Sequence, residues 1–167
     1  MKNILICFTL FSLSITLDAQ ELTKDKFNTM TLNGVTMDDL FIENIDWTFF
    51  KSKMGNPTSE SVTNHDGEFN TKQFIYPGAI FTYSDYLGYY DFFKVIITST
   101  NYTFVYDGLQ IKVGNSLSSV ATKFTQAYAD KLDDWLFINH EFADITLRLY
   151  YNMSGVITKI ELRQDYL

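Results

Sequence analysis

Cysteine is almost absent from this 167-residue chain: Cys7 is the only one, and it lies inside the apolar run that opens the sequence. Past that run nothing remains to cross-link, so the fold must be held by packing alone, without the disulfides common in small exported domains. Histidine is nearly as scarce, and any imidazole base has to be His65 or His140. No two glycines sit at the spacing of a dinucleotide loop, and no Gly-Lys-Ser/Thr step occurs. Nucleotide binding by either route is excluded. Positive charge is in deficit, with 13 Lys+Arg against 20 Asp+Glu for a net charge of −7. That balance argues against nucleic acid and anionic membrane surfaces as partners.

What the sequence does contain begins with Met1-Lys2-Asn3, an apolar stretch from Ile4 to Leu17, and the small-residue site Leu17-Asp18-Ala19 before Gln20. A basic start, an apolar middle and a small-residue end describe a cleavable secretory signal over residues 1–19. The apolar stretch is shorter than the ~20 residues that a spanning helix needs. Cys7 follows bulky Leu5 and Ile6 rather than the small residues of a lipoprotein signal, so it is expected to leave with the signal. Lys2 and Asp18 leave too, which keeps the net charge unchanged. The expected location is the periplasm or the medium, with no membrane span after cleavage. About two thirds of the unfolded surface of the remaining chain can be buried in one domain, and an aromatic fraction of 17% supplies bulk for that core.

Residues 20–28 are mostly polar, with Leu22 and Phe27 as exceptions, and read as a flexible leader before a single α+β domain at 29–167. Asn33-Gly34 between Met30-Thr31-Leu32 and Val35-Thr36-Met37, and Asp107-Gly108 between Tyr102–Tyr106 and Leu109–Val113, are both two-residue hairpin turns that accept positive φ. The stretch from Asn44 to Pro57 carries an Asn cap, an early Asp46, late lysines, then Gly55 and Pro57, and predicts a helix at 44–54. Polar residues 58–72, with Asn64-His65-Asp66-Gly67 in the middle, read as a long loop. An antiparallel meander follows: Gln73 to Tyr76, a Pro77-Gly78 turn, Ala79 to Tyr83, a Tyr-rich connection through Leu87-Gly88, and Phe92 to Ser99. Ser116 caps a predicted helix at 116–128 with Leu117, Val120, Ala121, Phe124 and Tyr128 on one face. A short apolar piece at 135–138 precedes strands at 145–151 and 156–163, joined by a turn at 152–155. Alternation of Ile145, Leu147 and Leu149 with Thr146, Arg148 and Tyr150 predicts one buried and one wet face. The expected architecture is α+β: an antiparallel sheet of hairpins with two short amphipathic helices on one face. Both halves run hairpin, helix, loop, strands, which suggests a tandem repeat with units at 29–100 and 101–167.

The run Val113-Gly114-Asn115-Ser116-Leu117 through Val120-Ala121 to Phe124 resembles the start of exported bacterial SmpA/OmlA-like and beta-lactamase-inhibitor-like modules, and Lys53-Met54-Gly55-Asn56-Pro57 is similar to their helix end. The resemblance implies short helices packed on a small antiparallel sheet, with two modules in tandem in the inhibitor family. It also implies protein binding without chemistry. The chain departs from the inhibitor proteins in lacking their disulfides and in its 58–72 segment.

Sites of chemistry are few. Gly114-Asn115-Ser116-Leu117-Ser118 begins like a nucleophile elbow but has Ser118 where the second glycine belongs. His65-Asp66-Gly67-Glu68 and His140-Glu141 with Asp144 read as solvated polar loops before they read as metal sites; on an extended backbone His140 and Glu141 face opposite sides. No cofactor is implied. Tyr83, Asp85, Tyr86, Tyr89 and Tyr90 crowd one connection, where tyrosine can anchor a protein or glycan at little entropic cost or simply cover the core edge. Two functions follow as expectations: an exported non-catalytic protein-binding or envelope interaction module, and a hydrolase of envelope polymers or glycans using dispersed carboxylates with His65 or His140.

Overall fold

A computed structural model of the chain describes residues 20–41, 45–65, 69–86, 89–140 and 143–164. It is α+β, with two sheets and a few short helices. In chain order the elements are β1 (Gln20–Leu22), α1 (Lys24–Asn28), β2 (Thr31–Leu32), β3 (Val35–Thr36), α2 (Met37–Leu40), α3 (Trp47–Met54), β4 (Ser59–His65), β5 (Phe69–Tyr76), β6 (Ala79–Tyr86), β7 (Tyr89–Ile97), β8 (Phe104–Tyr106) and β9 (Leu109–Ile111). A 3-10 turn (Leu117–Val120), α4 (Thr125–Ala129), β10 (Trp135–His140), β11 (Ala143–Tyr151) and β12 (Ile157–Gln164) complete them. The large sheet has the order β1-β10-β11-β12-β7-β6-β5-β4 and the small one β3-β2-β8-β9. Every pairing is antiparallel except β1 with β10. No helix among the described residues is long and apolar enough to cross a membrane. The expected signal, residues 1–19, lies outside the described residues.

Local chemistry accounts for the small sheet. Asn33 and Gly34 adopt φ of 50° and 82°, Asp107 and Gly108 45° and 77°, the two positive values that a type I′ turn needs. The hairpins then pair through β2 and β8. The Asn33 side chain fixes them further, its Oδ1 accepting from the Thr103 amide at 2.9 Å. The earlier and later parts of the chain meet through β2 and β8 in the small sheet and through β7 with β12 and β1 with β10 in the large one.

Period-two alternation assigns the two faces of the large sheet. One face carries Phe74, Tyr76, Phe81, Tyr83, Phe92, Val95, Ile97, Leu136, Ile138, Leu147, Leu149, Ile160 and Leu162, all buried. Against it pack the buried helix residues Phe27, Met37, Leu40, Phe50, Leu117, Val120 and Ala127, in one continuous core with Leu32, Val35, Phe104 and Ile111 of the small sheet. The expected placement of the helices on one side of the sheet is what the chain adopts.

Four expectations need correction. The 20–28 segment is no loose leader: β1 pairs with β10, and its two apolar side chains, Leu22 and Phe27, are both buried. Residues 58–72 form no loop either. β4 pairs in unbroken register with β5 from Ser59↔Ile75 to His65↔Phe69; every β4 residue is exposed, so a strand held by its backbone ladder showed no apolar alternation. Helix α3 starts at Trp47 with Asp46 as its cap, Oδ1 accepting from the Thr48 amide at 2.8 Å, rather than at Asn44, which lies outside the described residues. The 116–128 helix is broken into the 3-10 turn and α4 because Phe124 leaves helical geometry at φ −121°, ψ 57°. Its ring thereby stacks on Tyr106 at 5.1 Å, so packing overrides the helical periodicity.

Candidate functional site

The tyrosine cluster on the β6–β7 hairpin is divided by the pleat. Tyr83 is fully buried, ringed edge-on by Trp47 at 5.0 Å, Phe50 and Phe92 at 5.7 Å and Phe74 at 6.2 Å. Its hydroxyl has no hydrogen-bond partner among the described residues, and burial pushes its pKa well above 10.0. Tyr83 is therefore a core residue and presents nothing to a partner, which corrects its expected role. Asp85 and Tyr90 are cross-strand partners joined by a side-chain hydrogen bond; burial, then the Asp85 charge, raises the Tyr90 pKa. Tyr90 is half-buried against Trp47 at 5.0 Å. These two cover the rim of the core. Tyr86 and Tyr89 pair at the hairpin tip, their side chains outside the described residues.

The two histidines lie far apart. His65 is on β4 and His140 on β10, six strand steps across the sheet, on the order of 30 Å at the usual strand spacing. His65 stacks on Phe69 at 4.6 Å with Nε2 3.2 Å from Thr71 Oγ1; Asp66, Gly67 and Glu68 beside it lie outside the described residues. His140 stands edge-on to Phe27 at 5.0 Å. It joins Lys24, Asp38, Phe27 and Phe41 in lining a cleft of about 330 Å³ beside α1 and α2. Ser116, at the elbow-like motif, caps the 3-10 turn, accepting from the Ser118 amide at 3.3 Å, with no imidazole beside it.

The large sheet's second face was not expected as a site. Across the strands the register aligns Phe137, Arg148, Glu161, Ile96, Ile80 and Ile75 in one row and Asn139, Thr146, Arg163, Lys94, Thr82 and Gln73 in the next, with Trp135, Tyr150 and Lys159 in a third. Cations lie on rings: Lys159 Nζ is 3.4 Å from the Tyr150 centroid and the Arg148 guanidinium 5.3 Å from that of Trp135. Trp135 in turn stacks on Tyr150 at 6.3 Å and meets Phe137 at 5.3 Å. Glu161 lies between Lys159 and Arg163, 3.7 Å from each. Four cations thus share a face with few acids on a chain that is acidic overall. Among the described residues the helices bury their apolar side chains in the core on the other side. On this face Thr82, Thr146 and Glu161 are buried beneath their neighbours, Ile80 is exposed, and Trp135, Phe137, Tyr150, Arg148, Lys159, Arg163 and Lys94 are half-exposed. The alternation in 145–151 signalled a polar face, but only the registers of β10, β11 and β12 join its aromatic and basic residues.

No family model matches the chain, and neither a curated protein nor a solved structure matches it.

Proposed function

We propose that the chain is an exported, non-catalytic protein-binding module that offers the open face of its large sheet to an acidic partner surface. The observation that carries this reading is the ladder of Trp135, Phe137, Tyr150, Arg148 and Lys159 on a face with a local excess of positive charge. Aromatic residues and Arg are the types that dominate binding energy at protein interfaces. A basic patch on an acidic molecule orients an acidic partner while the remaining surface repels it elsewhere. The test is capture from an envelope fraction with wild type, with a face variant (Trp135→Ala, Lys94→Gln, Lys159→Gln) and with Tyr86→Ala/Tyr89→Ala. The face variant loses the specific partner while circular dichroism stays native, and binding weakens with salt. Equal capture by the face variant and the wild type refutes the assignment.

The His140 cleft favours the hydrolase as a second reading. It gathers Lys24, Asp38 and His140 from three elements around a concave, partly apolar site, an arrangement in which a histidine can act as a base. Among the described residues it supplies one carboxylate, Asp38, where glycoside hydrolysis uses two. Hydrolysis of envelope polymer that His140→Ala and Asp38→Asn both abolish would establish this reading over the first.

A further inference from the structure

The edges of the large sheet differ. On one side β1 has three residues, and its neighbour β10 carries a register irregularity between Asn139 and His140; short, irregular edges resist further pairing. On the other side β4 has seven residues, all exposed, in regular register with β5. Among the described residues nothing pairs with its outer edge. The strand, Ser59-Glu60-Ser61-Val62-Thr63-Asn64-His65, contains no Pro, Gly or Lys to blunt it. Its one carboxylate, Glu60, is held by Lys51 at 2.6 Å and Lys72 at 3.3 Å of the same chain. At its centre Val62 is 65% exposed.

The geometry points to β4 as the site where a second copy of this chain adds, strand to strand, in an antiparallel pair centred on Val62. In that register Val62 faces Val62 of the other copy, Ser61 faces Thr63, Glu60 faces Asn64 and Ser59 faces His65. No like charges stand opposite, and the one exposed apolar side chain of the strand meets its own equivalent, the kind of cross-strand pair that stabilises sheets. The interface is isologous and closes after two copies, joining two eight-stranded sheets edge to edge. A seven-residue strand is only about 23 Å long, which puts the contact at the small end of interface sizes, below ~1,200 Å², and makes association weak and concentration-dependent. Each copy carries −7, so the copies repel and pairing strengthens as salt screens them. That sign is opposite to the one expected for partner binding at the open face, on which this inference does not rest.

Sedimentation equilibrium on the purified protein, from micromolar to millimolar and at low and high salt, tests it. The expected result is a weight-average mass that climbs toward twice the monomer, more steeply at high salt. Val62→Lys, a substitution at an exposed site, weakens the association at least about tenfold, and Met153→Lys, far from β4, leaves it unchanged. With Cys7 absent or replaced by Ser, Val62→Cys forms an intermolecular disulfide on mild oxidation, since opposed strand residues lie about 4.5–5.5 Å apart between Cα atoms; Met153→Cys does not. Wild type that stays monomeric throughout overturns the proposal. So does a Val62→Lys protein that associates like wild type, or a Val62→Cys protein that cross-links no faster than Met153→Cys.

Discussion

Replacing Tyr83 by Phe should stabilise this protein. The Tyr83 ring is completely buried and edge-packed by four other aromatic rings, while its hydroxyl finds no hydrogen-bond partner among the described residues. An unsatisfied buried hydroxyl costs about 1–3 kcal/mol. Tyr83→Phe removes that oxygen and keeps every ring contact, so the expected gain is about 1 kcal/mol, a rise in Tm of roughly 2–4 °C for a chain of this size. Tyr83→Ala removes the ring as well and leaves a cavity lined by Trp47, Phe50, Phe74 and Phe92, at a cost of about 3–5 kcal/mol. Urea denaturation monitored by circular dichroism measures both, with an unchanged m-value showing that only stability has moved. A loss of more than about 1 kcal/mol in Tyr83→Phe would mean that the hydroxyl is hydrogen-bonded in solution, and the reading of that site would fail.

Alkaline pH should weaken the fold. Burial holds Tyr83 neutral well above 10.0 and raises Tyr76 to about 12, its burial aided by nearby Tyr102 and Glu60. Below pH ~10 these groups are protonated whether folded or unfolded and stability is complete; between ~10 and ~12 the unfolded chain releases protons that the native one keeps, so stability falls as pH rises. A urea midpoint that does not move between pH ~8 and ~11 contradicts this, and Tyr83→Phe should flatten the dependence. Phe27→Ala, in a segment that polarity alone marks as a leader, should cost about 3–5 kcal/mol because Phe27 is buried against Phe41 and His140; unchanged thermal stability would return 20–28 to the status of a tail. Gly78→Ala should cost more than about 2 kcal/mol, since Gly78 has φ +78° and a Cβ there would lie 2.1 Å from Ser99 Cβ. A wild-type Tm for Gly78→Ala would show that the turn can shift.

Local signals are legible in the sequence where backbone stereochemistry dictates them. The Asn-Gly and Asp-Gly turns fell at Asn33-Gly34 and Asp107-Gly108 with the φ values their type demands, and Gly55 ends α3 with φ 80°. The meander from β5 to β7 and the β11–β12 hairpin follow their β-branched and aromatic runs. Elements defined by tertiary contact stayed hidden. β4 shows no periodicity because neither of its faces is buried, and β1 depends on β10, more than a hundred residues away. The Phe124 break trades helical geometry for a stack on Tyr106.

The site followed the same division. Tyrosines adjacent in sequence looked like one surface, yet strand alternation sends Tyr83 into the core while Tyr90 bonds Asp85 along the rim. The residues of the large sheet's second face come from six strands between 73 and 163, and only their registers reveal that Arg163 aligns with Lys94 and that Trp135, Tyr150 and Lys159 align.

Amide chemical-shift mapping of isotope-labelled protein, titrated with a partner captured from the envelope, tests the central claim most directly. The account predicts shifts concentrated at 94–96, 135–139, 146–150 and 159–163, with the 83–90 hairpin and the His140 cleft unmoved. Shifts confined to that hairpin or to the residues around His140, with the Trp135–Tyr150–Lys159 row silent, would contradict it.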